Sequence, residues 1–337
     1  MSKKSKSSRK LLVIKIVAVL CIVGLSLGFG FSQVGLDKII EANSVDEILT
    51  SAQDYLNENL IGNNTSTNDI NQETLESMYD LMEVDGELGV YVFDVGQADC
   101  TLVSCDGEYM LIDAGNYDDG KFIVSQLKSM GITKIKYLIG THPHEDHIGG
   151  LDDVLKNIKV ENLYMPDVDY DSATYRYVVS AANDNNIKIV APKLGHVFYI
   201  GEAKCEIMGI DSDNEETNQT SIIIETTHGE NNFLFMGDAE IPNEEKRLWN
   251  DVDVLKVGHH GSSTSTSDDF LEQTMPEVAI ISCGEGNSYG HPHKEVMAAL
   301  KYFDVQVYRT DTQGTIHVMS DGKTYEINTL DIDLDGK

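Results

Sequence analysis

Cysteine is scarce. Five in 337 residues are too few for a small scaffold held together by disulfides. Cys100 and Cys105 lie in one extended run, where five positions of separation turn their side chains to opposite faces, so a local bridge is not expected. Cys205 and Cys283 fall in strand-like runs and read as core. Basic residues are scarce too: 25 Lys+Arg stand against 56 Asp+Glu, a formal charge of −31. A chain this acidic repels nucleic acid and anionic lipid at long range, which argues against non-specific nucleic-acid binding. There is no fixed-period repeat, so a solenoid is not indicated. Hydrophobic residues at 41% and charged residues at 24% are a globular balance, and the length suffices for a sizeable core.

The charge is unevenly placed. Residues 1–10 form a basic leader, and residues 11–32 an apolar stretch broken only by Lys15. About 20 apolar residues cross a bilayer as a helix, and a basic flank stays cytoplasmic. We therefore expect a single-pass anchor with the remainder facing outward, at the cell membrane. A cleaved signal peptide, giving a secreted protein, is the alternative. No Ala-x-Ala site follows the run, and Cys21 fits a lipobox poorly. Residues 33–87 read as an acidic, polar spacer, and residues 323–337 as an acidic C-terminal tail. DIDLDG in that tail resembles the start of a calcium loop but lacks its twelfth-position Glu.

From residue 88 to 322 the texture changes. GVYVFDVG, TLVSC and YMLIDAG are β-rich runs, KFIVSQLKSM has helical spacing, and IKYLIG is a strand. HVFYIG, AKCEIMGI, TSIIIETTH and NNFLFMGD read as consecutive strands, and PNEEKRLWN as a helix. Hairpins alternate with βα units twice over. This suggests an α/β architecture of two packed sheets with helices outside.

Seven of the ten histidines fall in three tight clusters. THPHEDHIGG directly follows a strand and offers His142, His144, Asp146 and His147 within six residues. Packed without a metal, these groups would each need a separate partner; with a divalent cation each becomes a ligand. His142 and His144 are two apart, so an extended backbone points both the same way. Asp146 and His147 follow a turn and can face a second ion. Glu145 reads as solvent-facing, and Gly149-Gly150 as a tight turn. The other clusters are GHHGSS (258–263) and HPH (291–293).

His142-Pro143-His144-Glu145-Asp146-His147 resembles the HxHxDH motif of the metallo-β-lactamase-fold hydrolases. DVGQADC (94–100), LIDAG (111–115), FMGDAE (235–240), DVLKVGHHGSS (253–263) and NSYGHPH (287–293) follow in the order expected of the ComEC type. This is the extracellular hydrolase domain of a DNA-uptake protein, with free-standing relatives and related phosphorylcholine esterases. The resemblance implies a metallo-β-lactamase-type αββα sandwich over residues 88–322. It covers neither the anchor nor the spacer, and no multi-span channel accompanies it.

The resemblance also implies two divalent cations, Zn²⁺ or Mn²⁺. His142 and His144 would hold the first, Asp146 and His147 the second. Asp238 would bridge both, and His259 would complete the second site. Where many family members supply a further His to the first ion, this chain has EETNQTSIIIETT, so Asn218 is the candidate. Two nearby cations lower the pKa of a bridging water, and the hydroxide attacks phosphorus or a carbonyl carbon. His260, His291 and His293 are candidates to protonate the leaving group, with Asp146 among the catalytic residues. Asp94 and Asp113 would orient ligand histidines. Ser262, Ser263 and Lys256 would contact substrate. His196, His228 and His317 read as structural, at a hairpin entry, a turn and a strand.

The expected function is a membrane-anchored, extracellular phosphodiesterase or phosphoesterase acting on a small phosphoester, a nucleic acid or a cell-wall phosphodiester. An inactive regulatory module is one alternative, and a hydrolase of a β-lactam or lactone another. No protein partner is predictable from the sequence. The −31 divides into a positive leader, −12 in the spacer and −25 beyond it. It speaks more to orientation across a membrane than to what is repelled.

Overall fold

The computed structural model describes residues 86–330. The basic leader, the apolar stretch and nearly all of the acidic spacer lie outside the described residues, and so does the expected membrane span. Among the described residues no helix is long and apolar enough to cross a membrane.

Two mixed sheets carry the fold. The first contains β1 (Leu88–Val92), β2 (Thr101–Cys105), β3 (Glu108–Ile112), β4 (Lys134–Ile139), β5 (Lys159–Tyr164), β6 (Ile189–Val190), β14 (Thr315–Ser320) and β15 (Tyr325–Leu330). Its spatial order is β15-β14-β1-β2-β3-β4-β5-β6. The second contains β7 (Val197–Ile200), β8 (Ala203–Gly209), β9 (Ile223–His228), β10 (Asn231–Phe235), β11 (Val254–Lys256), β12 (Val278–Ile281) and β13 (Gln306–Arg309). Its order is β13-β12-β11-β10-β9-β8-β7. Asp106-Gly107 closes the β2–β3 hairpin with both residues at positive φ, as a two-residue turn matched to strand twist requires.

Successive residues of one strand enter different cores. In β10, Phe233 and Phe235 pack between the sheets, while Leu234 packs on the outer side. In β12, Val278 and Ile280 face the central core, and Ala279 and Ile281 the outer one. On the first sheet, Leu111 meets Ile123 and Leu127 of helix α1 (Gly120–Ser129), while Met110 and Ile112 face the second sheet. Around these central strands both faces of the sheets are covered, so they read as nearly continuous apolar runs, whereas β7, β8 and β15 alternate or are partly exposed. Cys100 and Cys105 fall in different cores, and the four cysteines among the described residues are free and buried.

Three readings change. The sheet continues past residue 322, because β15 pairs with β14 from Thr315↔Leu330 to Ser320↔Tyr325. In PNEEKRLWN only Ile241–Glu244 is helical, and the Trp249 indole N–H donates to the Glu244 carbonyl at 2.7 Å, bonding a carbonyl at the end of that short turn. Gly149 and Gly150 have right-handed helical backbones, φ −56° and −92°, so they are not needed for a turn. They are needed for closeness: a Cβ on Gly149 would lie 2.2 Å from the Asn116 carbonyl carbon, and one on Gly150 2.4 Å from the Ala114 oxygen.

β3 and β4 run parallel, as do β10, β11 and β12. Their carboxyl ends lead into Asp113, His142, Asp238, His260 and Ser282. In α/β folds this is the edge where loops gather ligands.

Candidate metal centre

Asp113 leaves β3 at φ +60° and is fully buried. Its carboxylate accepts the Thr141 N–H at 2.8 Å and the Thr141 hydroxyl at 2.7 Å, and meets His147 Nδ1 at 2.8 Å. Burial raises the Asp113 pKa, with His147 opposing it. The bond to Asp113 uses the Nδ1–H of His147, so its Nε2 lone pair points inward, 3.2 Å from Asp238 Oδ1. His142 is oriented the same way. Its Nδ1 lies 3.2 Å from Thr141 Oγ1 and 3.4 Å from Ser221 Oγ. Its Nε2 faces His144 Nδ1 at 3.0 Å and Asp238 Oδ2 at 3.9 Å. Asp146 and His147 share one helical turn, Glu145–Ile148, which starts directly after the extended His144.

His260 is the buried histidine of GHHGS. Its Nδ1 faces the Ser282 carbonyl at 3.1 Å and Asp99 Oδ1 at 3.4 Å. Its Nε2 lies 3.4 Å from Asp146 Oδ2 and 3.7 Å from Asp238 Oδ1. The sequence assigned His259 to the group around Asp146 and His147, and His260 to proton transfer. The structure puts His260 with Asp146 and His147. His259 Nε2 instead faces the other oxygen of Asp238, Oδ2, at 3.7 Å. Both histidines have left-handed backbones, φ 47° and 51°, which send consecutive side chains apart. A sequence motif does not reveal that turn.

The donor set fits divalent cations. Ligand atoms of His142, His147 and Asp238 lie within 4.8 Å of one another, as do those of Asp146, His147 and His260. His147 Nε2, His260 Nε2, Asp238 Oδ1, Asp99 Oδ1 and Asn218 Oδ1 are buried without a hydrogen-bond partner. Lone pairs aimed at one another in a dry interior are costly unless a cation lies among them. In the metal-free chain protons take that place. Burial opposes charge on His260, yet Asp238 and Asp99 push it up to about 10. Asp146 is held at about 2, against the effect of burial, by His260 and His147. Burial and the neighbouring His147 keep His142 well below the usual histidine range. A divalent cation would displace such protons.

Several predicted residues do other work. Lys256 is buried and pairs with Asp99 Oδ2 at 2.8 Å, so it supports His260 through Asp99 and does not reach substrate. Asp94 accepts the Gly96 N–H at 3.1 Å in its own turn, and Asp99 of the same motif lies 3.4 Å from His260 Nδ1. His293 accepts the Ser263 N–H at Nδ1, 2.9 Å, and its Nε2 meets the Tyr289 carbonyl at 3.2 Å. Ser263 is therefore tied to His293, and Ser262 Oγ to Thr264 at 3.1 Å. His196 meets the Tyr164 hydroxyl at 3.1 Å, and His317 stacks on Tyr91. His228 is the buried last residue of β9 and not a turn residue; its Nδ1 meets Ser320 Oγ at 3.0 Å. Glu145 is exposed, as read, and accepts the Tyr117 N–H at 2.7 Å.

A cavity of about 570 Å³ opens over the cluster, lined among others by Gln97, Asn116, Asn218, Tyr289 and His291. Gln97 was not foreseen. Its Oε1 accepts the Gly284 N–H at 3.0 Å, which turns its Nε2 toward His291 Nδ1 at 3.3 Å. Asp99, Thr141 and Ser221 were missed too. Asp99 stood inside a quoted motif, but nothing in its spacing sets it above Asp94.

Curated proteins with related sequences include ones named for competence and for recombination. The chain is 31% identical over 262 residues to ComE operon protein 3 of Bacillus subtilis, covering 71% of this chain and 34% of that one. It is 34% identical over 236 residues to Recombination protein 2 of Haemophilus influenzae, covering 68% and 28%. It thus spans about a third of the length of these curated relatives. Among solved structures, the metallo-beta-lactamase fold protein YhfI of Bacillus subtilis aligns with a TM-score of 0.49 at 13% identity, over 70% of this chain and 100% of that one. The profile of the Metallo-beta-lactamase superfamily matches residues 93–285, which span β2 to β12 and the clustered side chains of His142, His144, Asp146, His147, Asp238, His259 and His260. With that match, the chain belongs to the metallo-β-lactamase superfamily, with relatives of the ComEC type.

Proposed function

We propose that the chain is a dinuclear-metal phosphoesterase. The observation that carries this reading is the Asp238 carboxylate. One oxygen faces His147 and His260 and the other faces His142, amid buried ligand atoms that lack partners. His142, His144 and Asp238 would hold one divalent cation. Asp146, His147, His260 and Asp238 would hold the other. The imidazoles suit Zn²⁺ and the carboxylates suit Mn²⁺. Such a pair supplies a water that ionises near neutral pH and stabilises charge developing on the attacked group's oxygen.

The chain's own groups do the rest. Asp113, Thr141 and Asp99 hold the ligand histidines in one tautomer and orientation. Gln97 donates to His291 Nδ1, so His291 carries its hydrogen on Nε2. That hydrogen is available to a phosphoryl or leaving-group oxygen in the cavity. Among the described residues no Lys or Arg lines the cavity, so the bound cations would meet the substrate's charge. This favours a short phosphodiester segment over a long duplex clamped along its backbone. The relatives' names carry competence and recombination, both processes of DNA, which supports a nucleic-acid phosphodiester. The apolar stretch at 11–32 supports a membrane-anchored, outward-facing enzyme, and protease protection in intact cells tests that orientation.

The deciding experiment uses the full-length protein loaded with Zn²⁺ or Mn²⁺. Its arms are bis-p-nitrophenyl phosphate, single-stranded DNA, p-nitrophenyl phosphorylcholine and a β-lactam. Metal-dependent phosphodiester cleavage that Asp238→Asn abolishes is expected. Cleavage of the β-lactam alone, or phosphodiesterase activity unaffected by Asp238→Asn, overturns the proposal.

A further inference from the structure

We propose that the tandem histidines His259 and His260 divide between the two cation sites, and that His259 Nε2 is the protein ligand that completes the first. This rests on the two-cation reading above. It reassigns a position at which the sequence offered only Asn218.

The first argument is distance. Around Asp238 Oδ1, His147 Nε2 stands at 3.2 Å and His260 Nε2 at 3.7 Å. Around Asp238 Oδ2, His142 Nε2 stands at 3.9 Å and His259 Nε2 at 3.7 Å. His144 Nδ1 adjoins His142 Nε2 at 3.0 Å. Ligands about 2.1 Å from a tetrahedral cation are separated from one another by about 3.4 Å. His147 and His260 stand near Asp238 Oδ1, and with His259 counted Oδ2 likewise has two imidazoles near it, His142 and His259.

The second argument is how each ring is held. His147, His142 and His260 each turn Nδ1 to a protein acceptor and Nε2 to Asp238. His259 repeats the pattern. Its Nδ1 lies 3.3 Å from Glu240 Oε1 and 3.1 Å from Thr264 Oγ1. The Thr264 hydroxyl in turn donates to Glu240 at 2.7 Å, and Gln219 Nε2 donates to the other Glu240 oxygen at 3.2 Å. A ligating histidine backed by a carboxylate is the common arrangement at metal sites. An exposed surface histidine has no need of that support.

The third argument concerns Asn218. Its amide nitrogen is 3.4 Å from Nδ1 and 3.3 Å from Nε2 of His259. A group nearly equidistant from both ring nitrogens lies beside the ring and not along either lone pair. The Asn218 amide nitrogen thus packs beside the His259 ring and leaves His259 Nε2 facing Asp238, while the Asn218 Oδ1 keeps no hydrogen-bond partner of its own. The backbone supplies the rest. His259 and His260 both adopt the left-handed conformation, which is strained for a non-glycine residue and clusters at functional sites. The two rings end 6.2 Å apart, inclined to one another by 62°.

Metal binding tests this directly, without reference to turnover. Full-length protein stripped of metal is titrated with Co²⁺, followed by its visible absorption and by competition with Zn²⁺. The wild type is expected to take two equivalents. His259→Ala should weaken one of them at least ten-fold and leave the other unchanged. Added to His142→Ala, the substitution should change the remaining affinity less than about two-fold. Added to His147→Ala, it should weaken the remaining equivalent at least ten-fold. His259→Asn, which tolerates the left-handed backbone, and Glu240→Gln should weaken the same equivalent, and they decide the matter if His259→Ala does not fold. Two equivalents with unchanged affinities in all three His259 and Glu240 variants overturn the assignment, as does coupling to His147 in place of His142. A wild type that binds no metal overturns the two-cation reading, and this one with it.

Discussion

Replacing Lys256 by Met tests whether the support under His260 is as tightly coupled as it looks. Lys256 and Asp99 are 3% and 4% exposed and meet at 2.8 Å. Besides Lys256, Asp99 has the imidazoles of His260, at 3.4 Å, and His147 acting on it. The Met side chain fills most of the lysine stem's volume, so the substitution removes mainly the ammonium. The Asp99 carboxylate is then left buried without its strongest compensating charge. Breaking a buried pair from one side costs about 3–5 kcal/mol. For a domain of this size each kcal/mol moves the melting temperature by about 2–4 °C, so Lys256→Met should melt about 6–20 °C lower. Lys256→Met combined with Asp99→Asn leaves no orphaned charge, and its loss should fall well short of the sum of the two single losses. Urea and thermal unfolding in a chelator, with all variants metal-free, isolate this term from metal affinity. A Lys256→Met loss under about 1 kcal/mol, or additive losses in the double variant, would refute a buried, coupled pair.

Four further outcomes are expected. Loading both sites from an excess of free metal about 100-fold above Kd should stabilise the fold by about 2.7 kcal/mol per site, with release of protons into weakly buffered solution; a melt insensitive to chelator contradicts this. Gly149→Ala should disrupt the loop that carries His147, because its Cβ would lie 2.2 Å from backbone carbon; a native-like melt with unchanged metal affinity would show that contact to be soft. His291→Ala should lower kcat about 10²–10⁴-fold on an alkyl phosphodiester, whose leaving group needs a proton, and much less on a p-nitrophenyl ester; equal losses on both place His291 elsewhere in the reaction. Asp253 is pushed up to about 6 by burial first and by Glu277. A carboxyl raised in the folded state holds its proton longer there, so stability falls as pH rises from about 4 to about 6. Asp253→Asn should therefore stabilise at pH 7 by at most about 3 kcal/mol and do nothing at pH 3.5, as denaturant unfolding at both values will show.

What could be read from sequence was whatever is written in consecutive residues. The strand runs were visible because both sheet faces are covered, so VAII and NNFLF needed no alternation to stand out. His142, His144, Asp146 and His147 were visible because one strand end and one helical turn deliver all four. β15 was missed because YEINTL lies at an edge. Its residues are half-buried or exposed, so its composition resembles a tail. Lys256 was misjudged for a related reason. A lysine beside a catalytic motif looks like a phosphate contact until the fold slides residues 93–100 beneath β11 and gives its ammonium a buried carboxylate.

The HH pair shows most clearly why spacing alone falls short. Two adjacent histidines on an extended or right-handed helical backbone point in directions that the sequence pattern can forecast. On two consecutive left-handed residues they do not, and here that departure decides which ring joins which side of Asp238. The backbone turn is in turn fixed by distant contacts: the His259 N–H donates to the Gly237 carbonyl at 3.0 Å, and the Ser262 N–H to the His259 carbonyl at 2.7 Å. The first joins the pair to the same GD turn that carries Asp238. The bridging carboxylate and the two rings that flank it are therefore positioned by one another's backbone. A substitution that straightens the HH turn should disturb both sites together, whereas loss of either imidazole alone should disturb one.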